Sequence, residues 1–205
     1  MTTDDVAVER RRTAEIRRVT KETTIELSLD VDGTGKADIS TGIGFLDHML
    51  DSLARHSRFD LTVRATGDLH IDAHHTAEDI AIVLGQALDK ALGDKRGLRR
   101  FADAVCPLDE ALCQVVLDLS GRGFAAVDLP FNGERIGELP TEMIPHFLYS
   151  FAIEGRLTLH VRLLAGQNDH HRAEATFKAL ARCLELATRI DPRIATQVPS
   201  TKGSL

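Results

Sequence analysis

Hydrophobic residues recur every three or four positions in two long stretches of the chain. The first stretch opens with His74-His75-Thr76-Ala77-Glu78, and the second opens with His170-His171-Arg172-Ala173-Glu174. This spacing is typical of an amphipathic helix. Shorter stretches beginning near Phe45 and Met143 show the same spacing. The pattern therefore predicts four amphipathic helices, and the two longest begin with the same His-His-x-x-Glu motif.

Alternating apolar and polar residues predict strands between these helices. The strands are expected at residues 23–29, 36–40, 59–65, 68–72, 111–119, 124–129 and 157–164. The first two flank a glycine-containing turn at 30–35, so we expect them to pair as a hairpin. Residues 1–18 lack periodicity before Ile16, and we expect them to be a mobile segment. Residues 191–205 form an irregular tail.

The two halves of the chain repeat one another. Glu22 to Asp30 matches Glu110 to Asp118 at an offset of 88, His48 matches His146 at an offset of 98, and the double histidines match at an offset of 96. Such repeats usually bury their apolar faces against each other. We therefore predict an internally duplicated α+β unit, in which two roughly four-stranded sheets enclose a layer of four helices. The halves are 19–96 and 97–190, within one compact domain.

Composition excludes several classes of protein. The 205 residues carry a net charge of −6, which argues against binding to nucleic acid or to an anionic membrane surface. No apolar run is long enough to span a bilayer, and the polar N-terminus does not resemble a secretory signal. Cys106, Cys113 and Cys183 are odd in number and lie among apolar residues, so we expect a reducing cytoplasm and no disulfide framework.

The double histidines are candidate metal ligands. On a helix, residues four apart lie on one face while an adjacent residue points about 100° away, so His74 and Glu78 can share one ion while His75 reaches another. Matching positions in the two halves give six imidazoles and two carboxylates: His48, His74, His75, Glu78, His146, His170, His171 and Glu174. Two ions would each receive three imidazoles and one carboxylate, which favours manganese or iron over zinc. Individually, such histidines are more often helix-surface residues, and His56, His70 and His160, which have no histidine counterpart, are interpreted as non-ligands.

A basic cluster from Lys95 to Arg100 stands out in an acidic protein. Arg122 lies in a glycine turn, and Lys202 lies in the tail sequence Pro199-Ser200-Thr201-Lys202-Gly203. Guanidinium and ammonium groups of this kind can hold a phosphate. A solvated basic edge explains them equally well.

The chain resembles the imidazoleglycerol-phosphate dehydratase family of histidine biosynthesis over nearly its whole length. The resembling segments are FLDHML (45–50), ATGDLHIDAHHTAEDIA (65–81), GDKRGLRRF (93–101), LDLSGR (117–122), TLHVRLLAGQNDHH (158–171), EATFKALARCL (174–184) and PSTKG (199–203). The resemblance implies a homo-oligomeric shell of twenty-four subunits, in which neighbouring subunits complete each metal site. It also implies two manganese ions per subunit, held by the eight residues named above.

The resemblance further implies a role for each site residue. Glu22, His48, Arg100, Arg122, Ser200, Thr201 and Lys202 would contact the phosphorylated imidazole substrate, and Glu22, Glu174, His75 and His171 would be catalytic. Dehydration would proceed through a metal-stabilised imidazolate, with Glu22 as the acid/base carboxylate. Glu110 occupies the position in the second half that is equivalent to Glu22, and the sequence indicates no role for it. Three residues depart from the family pattern: Gly44, Pro145 and Arg172.

Two other functions fit parts of the sequence. A dinuclear hydrolase would use two metals about 3.5–4 Å apart with bridging carboxylates, whereas six imidazoles and two carboxylates favour separate ions. A non-enzymatic metal-binding shell protein would explain the histidines but not the phosphate candidates.

Overall fold

Two sheets of identical strand order form the outer layers of the protein, with helices between them. The computed structural model describes residues 11–205. The strands of the first half are β1 (Thr13–Val19), β2 (Thr23–Asp30), β3 (Ala37–Ser40) and β4 (Asp60–Gly67). Those of the second half are β5 (Phe101–Leu108), β6 (Ala111–Asp118), β7 (Phe124–Asp128), β8 (Arg135–Ile136), β9 (Leu139–Pro140) and β10 (Thr158–Ala165). The helices of this described part are α1 (Gly44–Ser57), α2 (His74–Leu92), α3 (Met143–Glu154) and α4 (Asp169–Ala187), with a short 3-10 helix at Pro192–Ile194.

The strand connections show the internal duplication directly. The first sheet has the order β1-β2-β4-β3 and the second has the order β5-β6-β10-β7. In each sheet the last strand in this order runs parallel to its neighbour, while the other pairs are antiparallel. The strands β8 and β9 form a small separate pair. The predicted α+β fold with a duplicated unit is confirmed.

The helices pair across the two halves. Helix α2 packs on β1 and β2 and against α3, while α4 packs on β5 and β6 and against α1. Gly85 allows α2 and α3 to approach closely, because a Cβ there would lie 2.6 Å from the carbonyl oxygen of Phe151. The largest fully buried side chains include Ile25, Leu29, Met49, Leu50, Ile80, Leu88, Phe147, Phe151 and Phe177. Burial of these apolar faces fixes where the helix N-termini meet.

The expectation of a mobile segment at residues 1–18 is wrong for residues 13–18. Residues 1–10 lie outside the described part, but β1 pairs with β2 along its whole length, from Thr13 opposite Asp30 to Val19 opposite Thr24. Ala14, Ile16 and Arg18 take the inward positions of this strand. Because Arg18 is charged and lies at an inward position, the alternation of apolar and polar residues is not visible in the sequence of β1. The inward position suits Arg18 because its side chain pairs with Asp79 at 2.8 Å.

Three further strand predictions need correction. The segment 36–40 does not return as a hairpin on β2, because β3 pairs in parallel with β4. Residues 68–72 form a turn, closed by the N–H of Ile71 donating to the carbonyl of Asp68. Strand β5 was not predicted, since its inward residues are mostly small and give a weak pattern.

The three cysteines are free, as expected. Cys113 and Cys183 are fully buried between the second sheet and α4. Burial raises the pKa of the Cys113 thiol to about 11 and that of Cys183 to about 12, so both behave as small apolar side chains. Among residues 11–205, no helix combines the length and apolar character that crossing a membrane would require.

Candidate active site

One cluster of candidate metal ligands lies where α2 meets α3. His74 and Glu78 occupy the first turns of α2, four residues apart, and His146 lies in the first turn of α3. Their ligand atoms all lie within 4.8 Å of one another, and His146 Nε2 is 2.8 Å from Glu78 Oε1. The Asp72 carboxylate accepts the N–H of His74 at 2.8 Å and so fixes the helix start. We call these three residues the α2–α3 cluster.

A second cluster of the same composition lies where α1 meets α4. It contains His48 of α1 with His170 and Glu174 of α4, again within 4.8 Å of one another. Both histidine Nε2 atoms lie 3.2 Å from Glu174 Oε2, and Lys178 Nζ lies 2.7 Å from Oε1. Burial raises the pKa of Glu174, but the hydrogen bonds from Lys178 and His48 outweigh it, and the pKa falls to about 2. We call His48, His170 and Glu174 the α1–α4 cluster.

Each cluster takes residues from both halves of the repeat. The first half contributes two residues to the α2–α3 cluster and one to the α1–α4 cluster, and the second half does the reverse. Each has two imidazole nitrogens and one carboxylate of its own. This donor set suits a divalent ion with mixed nitrogen and oxygen ligation.

His75 and His171 lie outside both clusters. The Nδ1 atom of His75 lies 2.9 Å from Asp68 Oδ2, and that of His171 lies 2.6 Å from Glu110 Oε2. An ionised carboxylate only accepts hydrogen bonds, so Nδ1 carries a proton, and in the neutral imidazole Nε2 keeps a lone pair. These bonds raise the pKa of each histidine. The side chains are 37% and 27% exposed, which leaves them accessible to a further partner.

Glu110 has a clear structural role, although the repeat alone gave it none. Its Oε1 accepts the N–H groups of Gln167 and Asn168 at 3.1 and 2.8 Å, while Oε2 binds His171. The hydrogen bond from His171 is the main cause that lowers the pKa of Glu110 to about 2, followed by those two N–H donors. In the first half, Asp68 performs this task for His75, and the equivalent Glu22 is left exposed. Asp68 is not recognisable as a partner of His75 from the sequence, since its only signal there is its place within the DLHIDAHH stretch.

Glu22 lies on the turn between β1 and β2. This turn borders a surface hollow of about 260 Å³ together with Asp68 and His70. The negative charge of Glu22 also contributes to the raised pKa of His75, after the hydrogen bond to Asp68. No hydrogen bond joins His70 to either cluster within residues 11–205, and neither His56 nor His160 belongs to a cluster.

The candidate anion ligands divide into two groups. Arg100 binds Asp118 through two nitrogens, at 2.7 and 3.1 Å, and its third nitrogen donates to the carbonyl of Pro199 at 2.8 Å. The tail therefore lies against Arg100, and its last residue, Leu205, contacts Gly121 beside Arg122. The exposed side chains here are Arg122, Thr201 and Lys202, with Ser200 half-buried.

The rest of the basic cluster stabilises the loop after α2. Lys95 is buried and pairs with Asp89 at 2.8 Å, and Arg96 pairs with Asp94 at 2.6 Å. The N–H of Gly97 donates to Gln197, which attaches this loop to the tail. Lys95 and Arg96 are thus structural residues of the described chain.

The three departures from the family pattern fit the fold. Gly44 is the first residue of α1 and has open space around its Cβ position. Pro145 lies in the first turn of α3, where proline removes no helical hydrogen bond. Arg172 is buried and donates to the carbonyls of Gly166 and Pro130 and to Asp169. It therefore holds the segment that precedes α4.

Comparison with known proteins identifies the family. The model of the imidazoleglycerol-phosphate dehydratase family matches residues 41–184, a range that contains both clusters. The chain belongs to this family. Family membership makes it a hydro-lyase that acts at the dehydration step of histidine biosynthesis. The resemblance seen in the sequence is thereby confirmed.

Individual relatives cover almost the whole chain. The imidazoleglycerol-phosphate dehydratase of Roseiflexus sp. (strain RS-1) is 59% identical over 194 residues, which cover 95% of this chain and 98% of the relative. That of Acidiphilium cryptum is 57% identical, covering 95% and 99%. Crystal structures of the Staphylococcus aureus dehydratase and of the Pyrococcus furiosus protein in complex with (S)-C348 both give a TM-score of 0.80, at 36% and 37% identity. They cover 87% and 93% of this chain and 99% and 100% of their own chains.

Proposed function

We propose that this enzyme converts imidazole glycerol phosphate to imidazole acetol phosphate with two manganese ions per subunit, one in each cluster. The observation that carries this proposal is the pair of clusters, which have the same composition and are both built across the two halves. The donor atoms fit such an ion, because they combine imidazole nitrogens with a carboxylate and include no sulfur. Glu174, whose pKa is about 2, is ionised at neutral pH and can act as an anionic ligand.

His75 and His171 would serve neighbouring subunits. Each is held away from its own chain's clusters by a carboxylate at Nδ1, and its Nε2 makes no hydrogen bond among the described residues, although that of His171 lies 3.9 Å from Asp109 Oδ2. A cluster of two imidazoles and one carboxylate gains a third imidazole if such a histidine reaches it from another copy. This gives each ion three imidazoles and one carboxylate, in a homo-oligomer that we expect from the family to contain twenty-four subunits.

A bound divalent ion would polarise the substrate ring nitrogen and favour the deprotonated imidazole. The residues of the chain provide the remaining functions. The hydroxyl on the carbon beside the ring would leave, and Glu22 would accept the C–H proton of the next carbon, which keeps its own hydroxyl. The departing hydroxide and the proton taken by Glu22 make up the water that is lost, and the resulting enol becomes a ketone. His48 would contact substrate as well as metal, and Glu174 would orient the reacting end.

The phosphate would bind at the tail. Arg122, Ser200, Thr201 and Lys202 carry donor groups there, and Arg100 is held in place by Asp118. Charge-assisted hydrogen bonds to phosphate are strong, and binding at this remote end orients the imidazole for reaction.

The candidate phosphate ligands argue against a shell protein that only stores metal. Separate carboxylates in the two clusters likewise argue against a bridged dinuclear hydrolase. The free thiols fit a reducing cytoplasm.

The test is manganese stoichiometry measured together with inhibitor binding. We expect the purified enzyme to bind two manganese ions per chain and to bind a triazole phosphonate only when they are present. His48→Asn and His146→Asn should each reduce the stoichiometry to about one and abolish dehydration. Full activity after metal removal, or phosphonate binding that ignores the metal, would contradict the proposal.

A further inference from the structure

The two glutamates at equivalent repeat positions have opposite surroundings. Glu110 is held by His171 and by two backbone N–H groups. Glu22 is exposed, and no side-chain hydrogen bond holds its carboxylate within the described residues. A carboxylate that exchanges a proton with substrate needs an oxygen that is not already hydrogen-bonded within the protein, as both oxygens of Glu110 are. It also needs a defined position. The turn that carries Glu22 must therefore be fixed from elsewhere.

A chain of side-chain hydroxyls fixes that turn. The Thr20 hydroxyl oxygen accepts the N–H groups of Glu22 and Thr23, at 3.1 and 2.9 Å. It also lies 3.2 Å from the Thr23 hydroxyl, and the Thr23 hydroxyl in turn binds Asp79 Oδ2. A second bond closes the turn, from the Thr20 N–H to the Thr23 carbonyl at 2.9 Å. The N–H groups of Glu22 and of the residue that follows it, Thr23, are thus both held by the Thr20 hydroxyl.

The direction of these bonds is determined by Asp79. The Asp79 carboxylate pairs with Arg18 through one oxygen and accepts the Thr23 hydroxyl proton with the other, so the Thr20 hydroxyl must donate to Thr23. Both lone pairs of the Thr20 oxygen then serve the N–H groups of Glu22 and Thr23. Each hydroxyl in this network therefore donates in one defined direction, and this favours one conformation of the turn.

Asp79 is a rigid anchor for this network. It is only 6% exposed, lies on α2 next to the cluster residue Glu78, and its second oxygen binds Arg18 of β1 at 2.8 Å. The second half lacks the network, because its equivalent positions are Leu108, Ala111 and Ala175. The hydroxyl chain therefore occurs in the half whose glutamate is free.

We propose that Asp79, acting through Thr23 and Thr20, is a positioning residue that holds the Glu22 turn at a fixed distance from the α2 metal ligands. This inference rests on the proposed role of Glu22 in proton transfer. The network connects the turn that carries Glu22 to α2, the helix that carries His74, His75 and Glu78. The same helix therefore positions both the acid/base group and these metal ligands. Misplacement of a reacting group by about 1 Å can cost on the order of 100-fold in rate.

The test compares Thr23→Val, which keeps the shape and removes the hydroxyl, with Thr23→Ser, which keeps the hydroxyl. We expect Thr23→Val to lower kcat about 10- to 100-fold with little change in KM, manganese content or particle size. Thr23→Ser should restore most of kcat. Thr62→Val, which removes an exposed hydroxyl from the outer face of the same sheet, is the matched control and should behave like the wild type.

The decisive comparison repeats Thr23→Val in a Glu22→Gln background. If the network acts through Glu22, the hydroxyl loss adds little there, whereas an equal loss of kcat in both backgrounds overturns the inference. Normal kcat in Thr23→Val beside an impaired Glu22→Gln also overturns it and leaves the role of Glu22 intact. Full activity of Glu22→Gln overturns both. Should Thr23→Val fail to fold, the half-buried Thr20 provides the same comparison through Thr20→Ala and Thr20→Ser.

Discussion

Glu110→Gln should weaken manganese binding more than Asp68→Asn, although both changes replace one carboxylate oxygen by an amide. In Glu110 the two oxygens have different partners, since Oε1 accepts two backbone N–H groups and Oε2 accepts His171 Nδ1. A glutamine at this position keeps its oxygen on the N–H donors of Gln167 and Asn168. Its NH2 group then faces His171 and donates to Nδ1.

The reversed hydrogen bond moves the imidazole proton to Nε2. A protonated Nε2 cannot bind metal, so Glu110→Gln inverts the tautomer as well as removing a carboxylate. Loss of a carboxylate partner typically costs a metal-binding histidine 10- to 100-fold in metal affinity. We expect the upper end for Glu110→Gln, about 100-fold or 2.7 kcal/mol. In Asp68, Oδ1 has no partner among the described residues, so an asparagine can turn its oxygen to His75, and about tenfold is expected.

The assay is calorimetric titration of manganese into chelator-treated enzyme, with metal content checked by elemental analysis. Glu26→Gln, an exposed residue on the outer face of the first sheet, controls for the loss of one charge. Equal affinities for Glu110→Gln and the wild type, or a larger loss for Asp68→Asn, would refute the assignment of tautomers.

Two other predictions concern the tail and the stability of the fold. Deletion of residues 199–205 should raise KM at least tenfold, because each charge-assisted contact to the phosphate contributes about 1.5–3 kcal/mol. Metal content and particle size should not change. Unchanged steady-state kinetics would exclude the tail from the phosphate site. Burial raises the pKa of Asp60, but the hydrogen bonds from the N–H groups of Lys36 and Thr34 outweigh this effect. The pKa of Asp60 therefore lies below its ordinary value of 3.8. The ionised carboxylate therefore stabilises the fold above that pH, and this contribution is lost as the pH falls through the folded-state pKa. Asp60→Asn should lower Tm at pH 7 and flatten its fall in acid, and an unaltered pH profile of Tm would disprove this.

The parts predicted correctly from sequence depend on local spacing. Four residues separate His74 from Glu78 and His170 from Glu174, and one helical turn places each pair on one face. The same geometry predicted that His75 would point elsewhere, and its side chain does lie outside the α2–α3 cluster. Repeat offsets then predicted the duplicated fold.

The parts that were missed depend on contacts between distant residues. Arg18 masks the alternation of β1, and its partner Asp79 lies 61 positions away. The parallel pairing of β3 with β4 depends on how α1 returns the chain, which no local pattern encodes. The role of Glu110 depends on the backbone of residues 167 and 168, which a β-strand and a helix bring to it.

The central claim is that each cluster binds a manganese ion completed by a histidine from a neighbouring subunit. Anomalous diffraction at the manganese edge, from crystals of the loaded enzyme, tests this most directly. We expect one anomalous peak at the α2–α3 cluster and one at the α1–α4 cluster, each with the Nε2 atom of a His75 or His171 from another copy among its ligands. A single peak bridging two carboxylates, or two peaks without any histidine from a neighbouring copy, would contradict the account.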